Sequence, residues 1–234
     1  MSAFTRYAVY YAPRPGAFAQ RVAGWLGWDP GSGADEPGRP IAFDGPAGLP
    51  RPQSELTMSP RKYGFHGTIK APFRLADGIS REDLSAALAV LAARVAPVEM
   101  RGLELRRLGG FLALLPEGDE SALMALGAEV VMALDPLRAP LSAAEIAKRR
   151  PERLNPRQRE LLDAWGYPFV MEEFRFHLTL SDNLPEAEAV ELAGLLQPWL
   201  APDLPRPFCI DDLCLFGEDA AGRFHLLERH ALTG

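Results

Sequence analysis

The segments YGFHGTIKAPF, from Tyr63 to Phe73, and FRFHLTL, from Phe174 to Leu180, share one pattern. Each reads as a half-buried strand and carries a histidine and a threonine two positions apart. Alternate residues of a strand project from the same face, so each strand should have an apolar back and a polar front. The side chains predicted on the two polar fronts are His66, Thr68 and Lys70 in the first strand and Arg175, His177 and Thr179 in the second.

The two histidine segments lie at corresponding places in a longer repeat. The order strand, helix, long insert, histidine strand, helix, strands occurs over residues 7–108 and again over residues 111–232, with the histidines 111 positions apart. A repeat of this length is too long for a solenoid unit. We therefore predict one bilobed domain, 1–234, in which two related lobes face each other.

Local signals place the other elements. Ser80 begins a capping-box-like sequence before an apolar helix, and Ser142 and Asn155 are similar helix starts. Residues 119–134 and 185–200 also have helical apolar spacing. Between Pro30 and Pro52, glycine and proline are so frequent that we expect a long loop without regular structure.

Composition narrows the classes of function. The chain has 234 residues, 47% of them hydrophobic, and a formal net charge of −6. It contains no apolar run long enough to span a membrane and no apolar stretch after Met1 of the kind that a signal peptide has. We expect a cytoplasmic monomer that binds neither membranes nor extended nucleic acid, because an acidic chain does not attract a phosphate backbone.

Two histidines on facing strands suit phosphoester chemistry. Breaking a phosphoester needs a base for the attacking oxygen and an acid for the leaving oxygen, and histidine serves as either near neutral pH. A threonine two residues along can donate a hydrogen bond to a non-bridging oxygen. The sequence contains no H-E-x-x-H motif, no phosphate-binding loop and no G-x-G-x-x-G fingerprint. We therefore expect neither a metal nor another cofactor.

The paired motifs HGT (66–68) and HLT (177–179) resemble those of the 2H phosphoesterase superfamily. The segment RKYGFHGTIKAPF (61–73) and the run from Arg149 through MEEFRFHLTLSDNL (171–184) resemble more closely a bacterial family of phosphonate metabolism proteins. The resemblance implies an α+β fold with two pseudo-symmetric lobes, each an antiparallel sheet backed by helices, around a central cleft. It also implies catalysis without a metal.

The resemblance carries over residue by residue. It implies that His66 and His177 are the acid and base and that Thr68 and Thr179 bind the phosphate. Three more residues lie in the segments that resemble the narrower family and are expected to bind substrate: Lys70, Arg175 and Tyr63. Strand alternation from His66 places Tyr63 on the opposite face unless the strand is bulged there.

A basic run stands out in this acidic chain. Between Lys148 and Arg159 there are six basic residues and one acidic residue. Such a run is typical of a solvated helix face. The alternative is a lid over the cleft that draws in an anionic substrate.

The leading hypothesis is a phosphoric diester hydrolase that cleaves a small cyclic phosphodiester. The family's association with phosphonate metabolism suggests a ribose cyclic phosphate. Two alternatives stay open: a phosphodiesterase acting on RNA ends with 2′,3′-cyclic phosphates, and a module that binds a phosphorylated ligand without turning it over. A pure binding module would be better served by arginine than by paired histidines.

Overall fold

A computed structural model describes residues 4–33 and 35–234. The strands over these residues are β1 (Arg6–Tyr11), β2 (Trp28–Gly33), β3 (Glu36–Pro40), β4 (Gly67–Phe73), β5 (Val98–Met100), β6 (Gly102–Leu108), β7 (Phe111–Glu117), β8 (Leu178–Thr179), β9 (Phe208–Ile210), β10 (Asp212–Glu218) and β11 (Phe224–Ala231). The α-helices are α1 (Ala17–Leu26), α2 (Gln53–Leu56), α3 (Arg81–Ala92), α4 (Ser121–Leu134), α5 (Ala143–Lys148), α6 (Pro156–Trp165) and α7 (Glu186–Leu200). None of these helices is long and apolar enough to cross a membrane.

One antiparallel sheet organises the described part of the chain. Its seven strands are ordered β11-β10-β1-β4-β8-β7-β6, and the pairs β2-β3 and β5-β9 are separate. The predicted α+β fold class, antiparallel sheet backed by helices, is confirmed. The strand order does not follow the predicted repeat, however. The C-terminal strands β10 and β11 extend the half that contains β4, and β6 lies in the half that contains β8.

The long helices cover one face of the sheet. Leu84 and Leu88 of α3, Val130 of α4 and Leu192 of α7 are fully buried against that face. Within β1, Tyr7, Val9 and Tyr11 point into this core. We call this the helix face, and it leaves the alternate residues of β1 on the opposite, cleft face.

The predicted helix starts at Ser80, Ser142 and Asn155 are present. Each of these side chains accepts a hydrogen bond from the backbone three residues later in a capping box. Such bonds involve neighbouring residues only, and for that reason the sequence alone is sufficient to predict them.

The predicted loop over residues 30–52 is wrong in part, because β2 and β3 form a hairpin there. Gly31 has φ +90°, and a Cβ on it would lie 2.1 Å from the carbonyl oxygen of Glu36. The close approach of the two strands therefore depends on glycine. The same residue type that disfavours a regular strand permits this tight pairing.

Candidate functional site

The two H-x-T motifs meet at the centre of the sheet. β4 and β8 pair antiparallel through Gly67 and Leu178, which are the middle residues of the motifs. This register places His66 next to Thr179 and Thr68 next to His177. The predicted strands 63–73 and 174–180 are shorter in the structure, and each histidine lies immediately before its strand. Pairing between the two sheet halves is thus confined to the motif centres.

A cavity of about 380 Å³ opens on the cleft face. Both histidines, both threonines and Tyr63 line it. The sequence did not single out most of its other lining side chains, which include Tyr10, Ser59, Phe111, Tyr167, Ser181 and Asn183. We call it the histidine cavity.

The two imidazoles are held in the same way. Nδ1 of His66 lies 2.9 Å from the carbonyl oxygen of Gly64, and Nδ1 of His177 lies 2.7 Å from that of Arg175. A carbonyl oxygen only accepts hydrogen bonds, so each Nδ1 carries the proton and donates it. In the neutral rings Nε2 is therefore the basic atom. Neither Nε2 has a hydrogen-bond partner within the described residues, which leaves both for a ligand.

Aromatic rings surround the first histidine. The Tyr10 ring lies 4.1 Å from the His66 ring, centroid to centroid, and the Tyr63 ring lies 5.6 Å away. Burial, with a smaller contribution from the neighbouring His177, lowers the pKa of His66 to about 4, and the hydrogen bond to the Gly64 carbonyl opposes part of this shift. In this environment His66 is therefore neutral near pH 7.

The second histidine has a more open environment. Its ring lies 5.6 Å from the ring of Phe111, which is itself half-buried. Burial lowers the pKa of His177 below its usual value, opposed by the hydrogen bond to the Arg175 carbonyl. The two histidines therefore share one anchoring geometry but differ in their surroundings.

Tyr63 reaches the cavity by a route that the sequence did not indicate. It follows a 3₁₀ turn, Pro60–Lys62, and not a strand, so strand alternation does not apply to it. Its ring stacks on Phe224 at 5.0 Å. Gly64, at φ +71°, then turns the chain into the histidine motif.

The predicted placement of Lys70 beside the histidines is wrong. In the β1–β4 ladder, Tyr10 pairs with Thr68 while Val9 pairs with Lys70, so β4 carries an extra residue between them. This bulge shifts Lys70 to the helix face. Its side chain is 3% exposed, and Nζ donates a 3.3 Å hydrogen bond to the carbonyl oxygen of Val131 in α4.

Arg175 also lies outside the histidine cavity. Its guanidinium donates to the carbonyl oxygens of Glu172 and Phe174, at 3.0 and 2.7 Å. It lines a neighbouring apolar compartment of about 480 Å³, next to His177. Aromatic residues supply much of that compartment's surface: Phe111, Tyr167, Phe169 and Phe174.

The basic run is divided between surface and cleft. Arg153, Arg157 and Arg159 are exposed, and only Arg149 of the six basic residues lines the histidine cavity. Its guanidinium lies 4.8 Å from the centre of the Tyr167 ring. No group of three or more His, Cys, Asp or Glu side chains suited to a metal ion occurs over residues 4–33 and 35–234.

Comparison with known protein families assigns the chain to one of them. Residues 68–225 match the family described as "Protein of unknown function (DUF1045)". The chain belongs to the DUF1045 family. The matched range contains the second motif in full and begins at Thr68, two residues after His66 of the first motif.

Two relatives of this DUF1045 chain are named ribose 1,5-bisphosphate phosphokinase PhnN. The protein from Janthinobacterium sp. (strain Marseille) is 38% identical in an alignment of 224 positions that covers 93% of this chain and 48% of the relative. The protein from Laribacter hongkongensis (strain HLHK9) is 35% identical over 218 residues, 93% of this chain and 49% of the relative. The DUF1045 chain thus spans about half the length of these curated relatives.

Two of the solved structures that are similar to the DUF1045 chain align with it over nearly the full length of both proteins. TT0787 of Thermus thermophilus has a TM-score of 0.46 at 15% identity, covering 98% of both chains. E. coli LigT complexed with 3′-AMP has a TM-score of 0.44 at 17% identity, covering 99% of this chain and 100% of LigT. Both TM-scores lie below 0.5.

Proposed function

We propose that this protein is a metal-independent phosphodiesterase that opens a small cyclic phosphodiester, with His66 and His177 as the acid–base pair. The observation that carries the proposal is the matched anchoring of the imidazoles. Each donates from Nδ1 to the carbonyl oxygen two residues earlier, which leaves Nε2 without a partner among the described residues, and both rings line the same cavity. Two proton-transfer atoms facing one small space suit in-line attack at a single phosphorus.

We assign the base to His66, whose aromatic surroundings favour the neutral ring. Its Nε2 accepts a proton from water while the water oxygen bonds to phosphorus. His177, protonated at Nε2, gives that proton to the departing ester oxygen as its bond to phosphorus breaks. The product is a phosphomonoester, and exchange of protons with solvent restores the pair. The substrate's negative charge favours the imidazolium form of His177 that this step needs.

The threonines supply hydrogen bonds to the reacting phosphate. Thr68 and Thr179 are half-buried and line the cavity. The antiparallel register sets each of them beside the histidine of the other motif. Their hydroxyls can donate to the two non-bridging oxygens, where charge increases in the transition state.

A ribose cyclic phosphate is the substrate that we propose. The relatives' name refers to a ribose bisphosphate, and the cavity has the volume expected for a small ligand. The kinase activity in that name belongs to proteins about twice as long, and the present sequence contains no G-x-x-x-x-G-K-[ST] motif.

The experiment is turnover of a panel of cyclic phosphates by the purified protein in EDTA, followed by ³¹P NMR. We expect a phosphomonoester to accumulate and His66→Ala and His177→Ala to abolish most of it. Absence of turnover across the panel, or turnover that requires an added divalent ion, would contradict the proposal.

One observation favours a second candidate, the hydrolysis of terminal 2′,3′-cyclic phosphates on RNA. The apolar compartment beside His177 is lined by aromatic rings, on which a nucleobase can stack. An oligonucleotide with such an end, compared with a ribose cyclic phosphate in the same assay, separates the candidates. A higher kcat/KM for the oligonucleotide would favour the second.

A further inference from the structure

Arg149 is a cation placed in the histidine cavity without an anion. It follows α5 and is half-buried. Among the described residues, no Asp or Glu oxygen lies within 4.0 Å of its guanidinium, whereas other arginines such as Arg138 and Arg157 are paired. A partly desolvated guanidinium is costly unless an anion binds it.

The way in which Arg149 is held leaves its N–H groups available. The guanidinium lies over the ring of Tyr167, with 4.8 Å between its central carbon and the ring centre. A guanidinium stacked on a ring keeps its donors in the guanidinium plane, where a phosphate can accept two of them. Stacking thus orients the group before any ligand arrives.

Three tyrosines line the same cavity. Tyr10, Tyr63 and Tyr167 all line it, and their hydroxyls have no hydrogen-bond partner within residues 4–33 and 35–234. Burial raises the pKa of Tyr10 and of Tyr167 above its usual value. These two hydroxyls therefore keep their protons at neutral pH and can donate to an anion.

We propose that Tyr10, Tyr63, Arg149 and Tyr167 form a wall that binds a second anionic group of the substrate, a phosphate monoester, while the histidines act on the cyclic diester. This substrate class deepens the proposed function and rests on it. The histidines and threonines already supply the contacts that one phosphate needs. Arg149 and the tyrosines are additional donors in the same cavity, and they account for a substrate with phosphates at two positions.

The test compares matched substrates. Ribose 1,2-cyclic phosphate with and without a 5-phosphate, and a nucleoside 2′,3′-cyclic phosphate with and without a 5′-phosphate, differ only in the second anion. We expect kcat/KM to be about 10- to 100-fold higher with the extra phosphate, the scale of hydrogen bonds to a charged group. Arg149→Gln should bring this ratio close to one, mainly through KM.

Arg153→Gln is the matched control, because Arg153 belongs to the same basic run but is exposed and does not line the cavity. It should keep the wild-type ratio. Equal kcat/KM for both members of each pair in the wild type would overturn the inference while leaving the phosphodiesterase intact. An equal loss for both members in Arg149→Gln would also overturn it.

If no cyclic phosphate is turned over, the proposed function fails. A binding measurement then tests separately whether the wall binds a phosphate monoester. Calorimetry with ribose 5-phosphate is then done on His66→Ala protein, with and without Arg149→Gln. Binding that is lost on adding Arg149→Gln supports the wall. Absent binding, or binding that Arg149→Gln does not change, refutes it.

Discussion

The backbone of Gly67 lies directly against the ring of Phe176. A Cβ added to Gly67 would be 2.2 Å from Cζ and 2.4 Å from Cε2 of that ring, which is itself 2% exposed in the core. The middle residue of the first motif is therefore glycine because the segment that carries the second motif packs across it.

Gly67→Ala should destabilise the protein by about 1–3 kcal/mol, the usual scale of overpacking. Urea denaturation measures the change. Gly194→Ala is the matched control, because a Cβ at Gly194 in α7 meets nothing within 4 Å and alanine favours a helix. Adding Phe176→Leu to Gly67→Ala should recover part of the loss, and failure to recover any would show that the ring is not the obstacle.

Under the proposed function, replacing His66 or His177 by alanine should lower kcat by about 10² or more, the usual scale for one acid or base. The double variant should be far less than multiplicatively worse, because the proposed mechanism uses His66 and His177 as one acid–base pair. Steady-state kinetics on all three variants checks this. His230→Gln is the control, since His230 lies on β11 outside the cavity lining. Losses that multiply would mean that the two histidines act independently.

The plot of kcat/KM against pH should be bell-shaped, and the pKa that defines each of its two limbs should lie below about 6.5. The profile reports the free enzyme, in which burial lowers the pKa of His66 to about 4 and also lowers that of His177. Activity rises as His66 loses its proton and falls as His177 loses its own. A plateau that extends above pH 7 would contradict this assignment.

Tyr63→Leu should raise only the pKa of the acidic limb, which reports His66, toward 6.5. The Tyr63 ring lies 5.6 Å from His66 and helps to exclude water from it. With the ring removed, His66 is better solvated and accepts a proton more readily. A shift of the basic limb instead would assign the base to His177.

Lys70→Met should stabilise the protein at pH 7 and raise Tm by several degrees, because a charge on a buried lysine opposes folding and methionine fills a similar volume without a charge. Burial lowers the pKa of Lys70 to about 8 from 10.5. Between about pH 8 and pH 10.5 the unfolded chain binds more protons than the folded one. The free energy of unfolding of the wild type therefore rises with pH over this range. The variant should lose that rise.

The same variant tests whether Lys70 binds substrate. Asp135, 3.9 Å from Nζ, keeps a 2.8 Å bond to Arg138 when Lys70 is replaced, so no carboxylate is left unpaired. Because Lys70 lies on the helix face, kcat/KM should stay within about twofold of wild type. A tenfold loss would restore the role that the sequence pattern suggested.

Local features of the sequence predicted local structure well. The capping boxes at Ser80, Ser142 and Asn155 involve residues three positions apart, and each begins a helix in the structure. The H-x-T spacing likewise puts the histidine and threonine of each motif in one cavity. In both cases the signal and its consequence lie within a few residues of one another.

Features that depend on distant pairing were not predictable. The displacement of Lys70 follows from an extra residue in β4 relative to β1, and nothing within residues 63–73 marks it. Arg149 stood in a run of six basic residues, and charge and spacing alone do not distinguish the one that enters the cavity from the other five. Tyr10 reaches His66 only because β1 pairs with β4, which joins segments about 60 positions apart.

The position of β1 between β4 and β10 affects the order in which the site is assembled on the ribosome. A nascent chain that has reached Thr179 contains both motifs, but β10 and β11 have not yet been made. Tyr10 then lacks Phe216 and Phe224, whose rings lie 5.0 and 5.9 Å from its own. One edge of β1 stays open to wrong pairing during that interval. The aromatic surroundings of His66 can therefore be complete only after the last strands of the sheet have emerged, however early His66 is synthesised.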